Sequence, residues 1–190
     1  MSYYRDQLER WLSTIDVKAD NVLDIGGAAN PVKDRVKSWE VGTYRIADNF
    51  LEKPKDDSIP IYEYDLNEEG IVDETDWDVI FCLEVFEYIY DPHVALDNIQ
   101  TMLGNEGKAY ISFPSIYPVH EPKEYDYLRF TRQGIVRLLD IVGFSEWKIL
   151  PRIATIGKEA LGQFYSFEGM HPVKHDDVIY HIGYLVEACK

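Results

Sequence analysis

Hydrophobic positions in this chain change their spacing in a regular alternation. Tyr4, Leu8, Trp11, Leu12 and Ile15 recur at helical intervals with charges between them, which predicts an amphipathic helix over residues 2–15. It reads as a packing helix, and Tyr3 and Tyr4 also suit a lid over a ligand pocket. Short apolar runs follow at residues 21–25, 43–47, 61–64, 77–83, 108–113, 144–153 and 178–188, and each predicts a strand. The run at 77–83, Trp-Asp-Val-Ile-Phe-Cys-Leu, is nearly continuous, as in a parallel strand covered on both faces.

Between these runs the period returns to that of a helix. Pro31 opens a predicted short helix to residue 39, since Pro is tolerated in a first turn. Residues 85–90 suit a helical turn. Asp91-Pro92 reads as an N-cap followed by Pro at the first helical position, opening a helix to residue 103 with Val94, Ala95, Ile99, Met102 and Leu103 toward the core. Residues 104–107 are the turn out of it. Residues 132–142 carry Ile135, Val136, Leu138 and Leu139, and Gly143 suits the C-terminal cap. A further short helix is expected around 159–164. Strand and helix alternating in this way predict an α/β architecture: a mostly parallel sheet, helices on both faces, and a last strand paired antiparallel at or near an edge. One domain spans 1–190, with an N-terminal helix within 1–19 and an aromatic-rich insertion at 115–131 that breaks the rhythm.

Composition narrows the partners. A net charge of -15 repels phosphate backbones and anionic membranes, and the basic cluster Lys33, Arg35, Lys37 is interleaved with Asp34 and Glu40. Nucleic acid and membrane are therefore not expected partners. Cys82 and Cys189 lack metal-ligand spacing, and Cys82 sits in an apolar run as a small buried hydrophobe. With no apolar stretch of membrane-spanning length and a charged beginning, a reduced, cytoplasmic protein is expected. Its oligomeric state is not legible.

The strand ends carry the chemistry. In open parallel sheets, ligands bind beyond the carboxyl ends of the strands, near the point where strand order reverses. Here those ends read Asp24-Ile25-Gly26, Asp48-Asn49, Asp65-Leu66, Leu83-Glu84 and Pro114-Ser115. Three consecutive strands end in aspartate. A nicotinamide dinucleotide would want three glycines cradling its pyrophosphate, but Ala28 stands at the second position, the third spacing fails, and Asp24 precedes the glycines. The weight shifts to a cationic or zwitterionic cofactor. An adenosine with a sulfonium and an amino-acid tail fits, with Asp48 accepting from both ribose hydroxyls.

The order of these segments resembles the class I S-adenosylmethionine-dependent methyltransferases. The resemblance is carried by Val22-Leu23-Asp24-Ile25-Gly26, by Asp48 about one strand later, by Tyr64-Asp65-Leu66, and by the stretch from Trp77 through Leu83-Glu84-Val85-Phe86-Glu87-Tyr88. It continues from Asp91-Pro92 through Met102-Leu103-Gly104-Asn105-Glu106-Gly107 to Ile111-Ser112-Phe113-Pro114. Residues 125–131, followed by 135–144, are similar to a segment common in small-molecule and glycan-modifying members. The resemblance implies a Rossmann-like three-layer sandwich, a seven-stranded sheet with a reversed last strand, and S-adenosyl-L-methionine as cofactor. It implies that Asp24, Gly26, Gly27 and Ala28 meet the methionine part and that Asp48, with Asn49, holds the ribose. Asp65 and the Leu66 backbone would hold the adenine, while Leu83 and Glu84 border the transferred methyl. Ala28 stands where the family usually has glycine, and Tyr88 where it commonly has histidine. A Cβ at position 28 is harmless at negative φ and crowds the cofactor at positive φ.

The insertion supplies the acceptor side. His120 is the candidate general base, with Glu121, Glu124 and Asp126 able to share the role, and its bland alternative is a solvent-facing loop histidine. Tyr117, Tyr125, Tyr127 and Arg129 would form the acceptor pocket, although Tyr127 with Phe130 also suits the core. Arg129 either binds an acidic group of the acceptor or ties the insertion down. His171, His175 and His181 lack a metal-site rhythm, so no metal is expected. The expected function is methyl transfer to a small-molecule or sugar-like acceptor. The alternatives are a non-catalytic interaction module that kept the fold and an NAD(P)-dependent oxidoreductase.

Overall fold

The apolar run that begins at Trp77 becomes the middle of the sheet, strand β4 (Trp77–Cys82), with Ile80, Phe81 and Cys82 fully buried. A computed structural model describes residues 3–49, 58–68, 75–153 and 181–190. Within them lie helix α1 (Tyr3–Leu12), β1 (Asp16–Ile25), β2 (Ser38–Asp48), β3 (Ile61–Glu63), β4, α2 (Pro92–Met102), β5 (Leu103–Pro114), α3 (Arg132–Val142), β6 (Glu146–Ile153) and β7 (His181–Cys189). The sheet has seven strands in the order β3-β2-β1-β4-β5-β7-β6. Strands β1 to β5 pair in parallel, and β7 runs antiparallel between β5 and β6.

Alternation along each strand sorts side chains onto two faces. Val22, Phe81, Tyr110 and Leu185 pack with Leu8 and Leu12 of α1 on one face. Leu23, Ile25, Ile80, Ile111 and Val186 pack on the other with Ala95, Leu96 and Ile99 of α2 and Ile135 and Leu139 of α3. The helices thus cover both faces. Strand order proceeds outward from β1 to β3, then restarts at β4 and proceeds the other way. The reversal falls between β1 and β4, where Ile25 pairs with Cys82, and this splays the following loops to either side of a crevice.

Several boundaries differ from expectation. No helix follows Pro31; residues 26–37 run as turns. Their N–H groups have other partners than the carbonyl four residues back: Val32 N donates to the Asp24 carboxylate (2.8 Å) and Lys37 N to Ile15 O (2.9 Å). Residues 16–19, expected in the N-terminal segment ahead of the first strand, belong to β1, where Asp16 to Ala19 pair with Ser38 to Val41 of a longer β2. The turn expected at 104–107 is a register jump inside β5, between Leu103 opposite Trp77 and Lys108 opposite Val79. β7 does pair antiparallel near an edge, as expected; the edge itself is β6, where Pro151 is tolerated because one side of the strand needs no ladder donor. The helix expected around 159–164, together with His171 and His175, lies outside the described residues.

Helices α2 and α3 begin and end where expected. Asp91 Oδ1 accepts from His93 N and Val94 N (both 3.2 Å), Thr131 Oγ1 accepts from Gly134 N, and Gly143 closes α3 at φ 92. Replacing Asp91 by alanine leaves two first-turn donors without that acceptor, so Asp91→Ala is expected to lower the unfolding free energy by about 1 kcal/mol. Urea titration followed by circular dichroism measures the difference.

Candidate functional site

At the carboxyl ends of β1, β2, β3 and β4, the loops on either side of the crevice enclose a cavity of about 390 Å³, lined by Ile25, Gly26, Asp48, Asn49, Tyr64, Asp65, Leu66, Asn67, Glu84, Val85, Tyr88 and four further aromatic or apolar residues of the rim. That volume falls in the range of small-ligand sites. Of the residues expected at the cofactor, Gly26, Asp48, Asn49, Asp65, Leu66 and Glu84 line it together. Asp24, Gly27, Ala28 and Leu83 stand behind it.

The first loop explains the division. Gly26 turns at φ +77, a left-handed conformation, and a Cβ there would stand 2.4 Å from Val85 Cγ2. At Gly27 a Cβ would stand 2.3 Å from the Asp24 carboxylate. Both glycines are therefore required sterically, and only the first faces the cavity. Ala28 does not take positive φ. Its methyl packs under the loop with Ile46 and Ile59, so the departure from glycine does not crowd the cavity. Ala28 N donates to Asp48 Oδ2 (3.2 Å) and locks the loop to the end of β2.

Asp24 lies beneath this turn, 2% exposed. Its Oδ2 accepts from Val32 N (2.8 Å) and from the Tyr44 hydroxyl (2.6 Å). Burial pushes the carboxyl up to about 6 against the downward pull of these two bonds. Asp24 shapes the loop from within. Asp65 is held open to the cavity from two sides, by Asn49 Nδ2 at 3.0 Å and by Asn67 N and Nδ2 at 2.9 Å each. Asn67 Oδ1 in turn accepts from Tyr90 N (2.9 Å). Asn98 of α2, buried, donates to the carbonyls of Leu66 (3.1 Å) and Glu68 (2.8 Å). Sequence reasoning passed over Asn67 and Asn98, although a polar residue in the apolar stripe of α2 was the available signal.

The rim beyond Glu84 is aromatic: Tyr88, Tyr90, Tyr125 and Tyr127. Tyr127 was also expected in the core, but it is 45% exposed and packs edge-on to Tyr90, with centroids 5.9 Å apart; only Phe130 is buried. His120 does not itself line the cavity. Its Nδ1 meets the hydroxyl of Tyr88, which also lies 2.7 Å from Glu121 O. Tyr117 does not line the cavity; its ring packs tilted against Tyr4, with centroids 4.4 Å apart. Arg129 has the tethering role: all five of its N–H donors are engaged, on Asp126, Leu128 O, Pro118 O and Tyr117 O. The Arg129 guanidinium, the larger cause, holds the Asp126 carboxyl below its ordinary value.

Glu87 is a buried carboxyl that the sequence did not flag. It is 5% exposed, and burial first, then the neighbouring Glu84 carboxylate, pushes it up to about 7. The described residues contain no cluster of three or more His, Cys, Asp or Glu suited to a metal, and no helix long and apolar enough to cross a membrane.

The comparisons agree with this architecture. A family model described as a methyltransferase domain matches residues 2–147. No curated protein matches the sequence. Among solved structures, the chain is similar to an S-adenosylmethionine-dependent methyltransferase from Mesorhizobium loti, with a TM-score of 0.67 at 12% identity, covering 100% of this chain and 98% of that one. It is similar to an S-adenosylmethionine-dependent methyltransferase from Thermotoga maritima, with a TM-score of 0.65 at 12% identity, covering 99% and 91%. It is also similar to phosphoethanolamine N-methyltransferase 2 of Haemonchus contortus in complex with S-adenosyl-L-methionine, with a TM-score of 0.62 at 14% identity, covering 98% of this chain and 52% of that one. At such identities the likeness is one of fold, and the chain spans about half the length of the last protein.

The raised Glu87 carboxyl has a measurable consequence. A carboxyl whose folded-state value lies above the ordinary 4.5 contributes stability that is full below that value and is lost as pH rises through about 7. Glu87→Gln is therefore expected to match the wild type at pH 4 and to exceed it at pH 8, by on the order of 3 kcal/mol. Chemical denaturation at the two pH values measures this; equal pH slopes for both proteins would contradict it.

Proposed function

The chain belongs to the methyltransferase-domain family, an S-adenosylmethionine-dependent class of enzymes, and we propose that it transfers methyl to a small-molecule or sugar-like acceptor held at the tyrosine rim. One observation carries this reading. Gly26, Asp48 with Asn49, Asp65 with Leu66, and Glu84 arrive from four different strand ends on a single cavity.

The residues present fit the cofactor. A loop that passes the cavity without a Cβ at Gly26 leaves room for an amino-acid tail. A carboxylate at the end of β2 matches a ribose diol, and Asp65, fixed by Asn49 and Asn67, matches an exocyclic amine beside the Leu66 backbone. Three carboxylates on one cavity repel a pyrophosphate and favour a cation, which supports S-adenosylmethionine over a nicotinamide dinucleotide. When bound, that cofactor supplies an electrophilic methyl on a sulfonium. The open cavity also weighs against the non-catalytic alternative, in which side chains would be free to fill the cleft.

The chain's own part is positioning and proton handling. Tyr88, Tyr90, Tyr125 and Tyr127 present hydroxyls and ring faces suited to a neutral polar acceptor. The Tyr88 hydroxyl has one proton, and His120 Nδ1 and Glu121 O both lie against it. The carbonyl can only accept. With the Tyr88 proton on Glu121 O, His120 Nδ1 is the donor to the tyrosine oxygen; with Nδ1 unprotonated, the tyrosine donates to it. These two arrangements make a relay from the cavity to an exposed imidazole. Burial first, and then the Glu87 carboxylate, raise the Tyr88 hydroxyl above its ordinary value, so Tyr88 works as a relay rather than a standing phenolate. Tyr88 at the family's usual histidine position is thus joined by an imidazole from the insertion.

Calorimetric titration tests the cofactor half. S-adenosylmethionine and S-adenosylhomocysteine are expected to bind, and Asp48→Ala is expected to weaken both by about tenfold or more, the scale of a lost charge-assisted hydrogen bond. No heat at millimolar ligand would refute the reading. For the relay, His120→Ala is expected to lower kcat by about 10²-fold or more while leaving the affinity for S-adenosylhomocysteine unchanged. Transfer of labelled methyl into pooled small-molecule and sugar acceptors reports kcat, and an unchanged rate would remove His120 from the mechanism.

A further inference from the structure

A fully buried arginine sits on the edge strand. Arg152 of β6 is 0% exposed, and its guanidinium lies over the Tyr4 ring, 3.3 Å from the centroid. Its Nη2 donates to the carbonyl of Tyr4 (2.7 Å), and its Nη1 donates to Oε1 of Glu84 (2.7 Å). Arg152 Nε has no partner among the described residues. A buried charge with an idle donor is a costly arrangement whose retention asks for a reason.

Glu84 supplies one. It lines the cavity and takes φ +59, a left-handed backbone that L side chains rarely adopt. Its N–H donates to Ser112 Oγ (2.7 Å), and the same hydroxyl donates to Glu84 Oε1 (2.7 Å). Both bonds to the carboxylate therefore fall on Oε1, and Oε2 has none among the described residues, although the side chain keeps 26% exposure. The surrounding chain makes room for this arrangement. Gly183 of β7 stands opposite Arg152 and Pro114 in register, and a Cβ there would come within 2.8 Å of the Tyr4 hydroxyl. Tyr4 packs in turn against Tyr117 of the insertion, with the rings tilted and their centroids 4.4 Å apart. Strands β5 and β6 meet the Glu84 carboxylate directly, and helix α1 and β7 pack around the Arg152 that holds it.

We propose that Arg152 is a positioning residue of the cofactor site, clamping one oxygen of Glu84 so that the other meets the ammonium group of the cofactor's amino-acid tail. The inference rests on the cavity being an S-adenosylmethionine site. Arg152 and Ser112 together hold Oε1 of Glu84, which fixes the direction in which Oε2 points. The N-terminal helix acts at the site through this clamp, without lining the cavity.

Calorimetry with two ligands tests it. S-adenosylhomocysteine carries the ammonium group; 5′-methylthioadenosine has the same nucleoside and lacks it. Arg152→Met is expected to weaken S-adenosylhomocysteine by about tenfold, the scale of a lost charge-assisted contact, and to leave 5′-methylthioadenosine within about twofold, because additive effects elsewhere in the site are small. Glu84→Gln is expected to show the same selectivity, and the double variant is expected to lose no more than the worse single one, because the two residues act as a unit. Equal weakening of both ligands, or losses that multiply in the double variant, would overturn the proposal by showing a general structural role. Should Arg152→Met fail to fold by circular dichroism, Arg152→Lys carries the test: it keeps the charge but not the fork, so a loss of several-fold for S-adenosylhomocysteine alone is expected, and unchanged affinity overturns the proposal. A wild type that binds neither ligand refutes the cofactor site and this proposal with it. A wild type that binds S-adenosylhomocysteine, with Arg152 variants that bind it equally well, refutes this proposal alone.

Discussion

The buried carboxylate of Asp24 is the constraint from which the site follows. It sits at the end of β1 under the glycine turn and accepts from Val32 N and the Tyr44 hydroxyl. Those bonds draw residues 26–37 back over the sheet as a series of turns. They leave no room for a side chain at Gly27 and turn Ala28 inward against Ile46 and Ile59. The N–H of Ala28 then reaches Asp48, which ties the first loop to the second. A charge in that position is expensive, and its upward shift to about 6 measures the desolvation that two good hydrogen bonds only partly offset. The folded loop is what is obtained in exchange.

A second theme is the management of negative charge. Asp48, Asp65 and Glu84 share one cavity, with Glu87 behind them, and the guanidiniums nearby are already engaged: Arg129 within the insertion on Asp126, Arg152 on Glu84. The cavity therefore keeps an acidic character while its walls stay fixed. Such a site favours a ligand bearing a cation and hydrogen-bond donors. The two arginines have parallel uses. Each anchors a carboxylate whose position matters to the loops around it, and neither is offered to the ligand.

Much of the fold was legible from the chain itself. β4 announced itself as a nearly continuous apolar run, and two caps that act locally were readable, Asp91 at the start of α2 and Gly143 at the end of α3. The aspartates at or just past the ends of β1, β2 and β3 marked the end of the sheet where the cavity lies. What failed to show was whatever depends on contacts across the sheet. Pro31 reads as a helix start because its local preferences are those of one, while the acceptor that removes Val32 N from helical pairing is Asp24, on the strand before. The sign of φ at Ala28 decides whether its methyl faces ligand or core, and no residue type reports it. Arg152 and Glu84 lie 68 positions apart and meet only because β5 and β7 stand between their strands; a charged residue on an edge strand otherwise reads as solvent-facing. Asp24 and Asp48 look equivalent in sequence, yet one lies buried under the glycine turn and the other lines the cavity, a distinction set by the loop folded over the end of β1.

The central claim is that the crevice between β1 and β4 is a cofactor site built on Asp48, Asp65 and Gly26. The most direct test is a crystal structure of the chain with S-adenosylhomocysteine. The ribose is expected within hydrogen-bonding distance of the Asp48 carboxylate, the adenine edge at Asp65 and Leu66, and the amino-acid tail past Gly26 toward Glu84. Ligand density at any other place on the molecule, or a nucleoside in the crevice with its ribose turned away from Asp48, would contradict it.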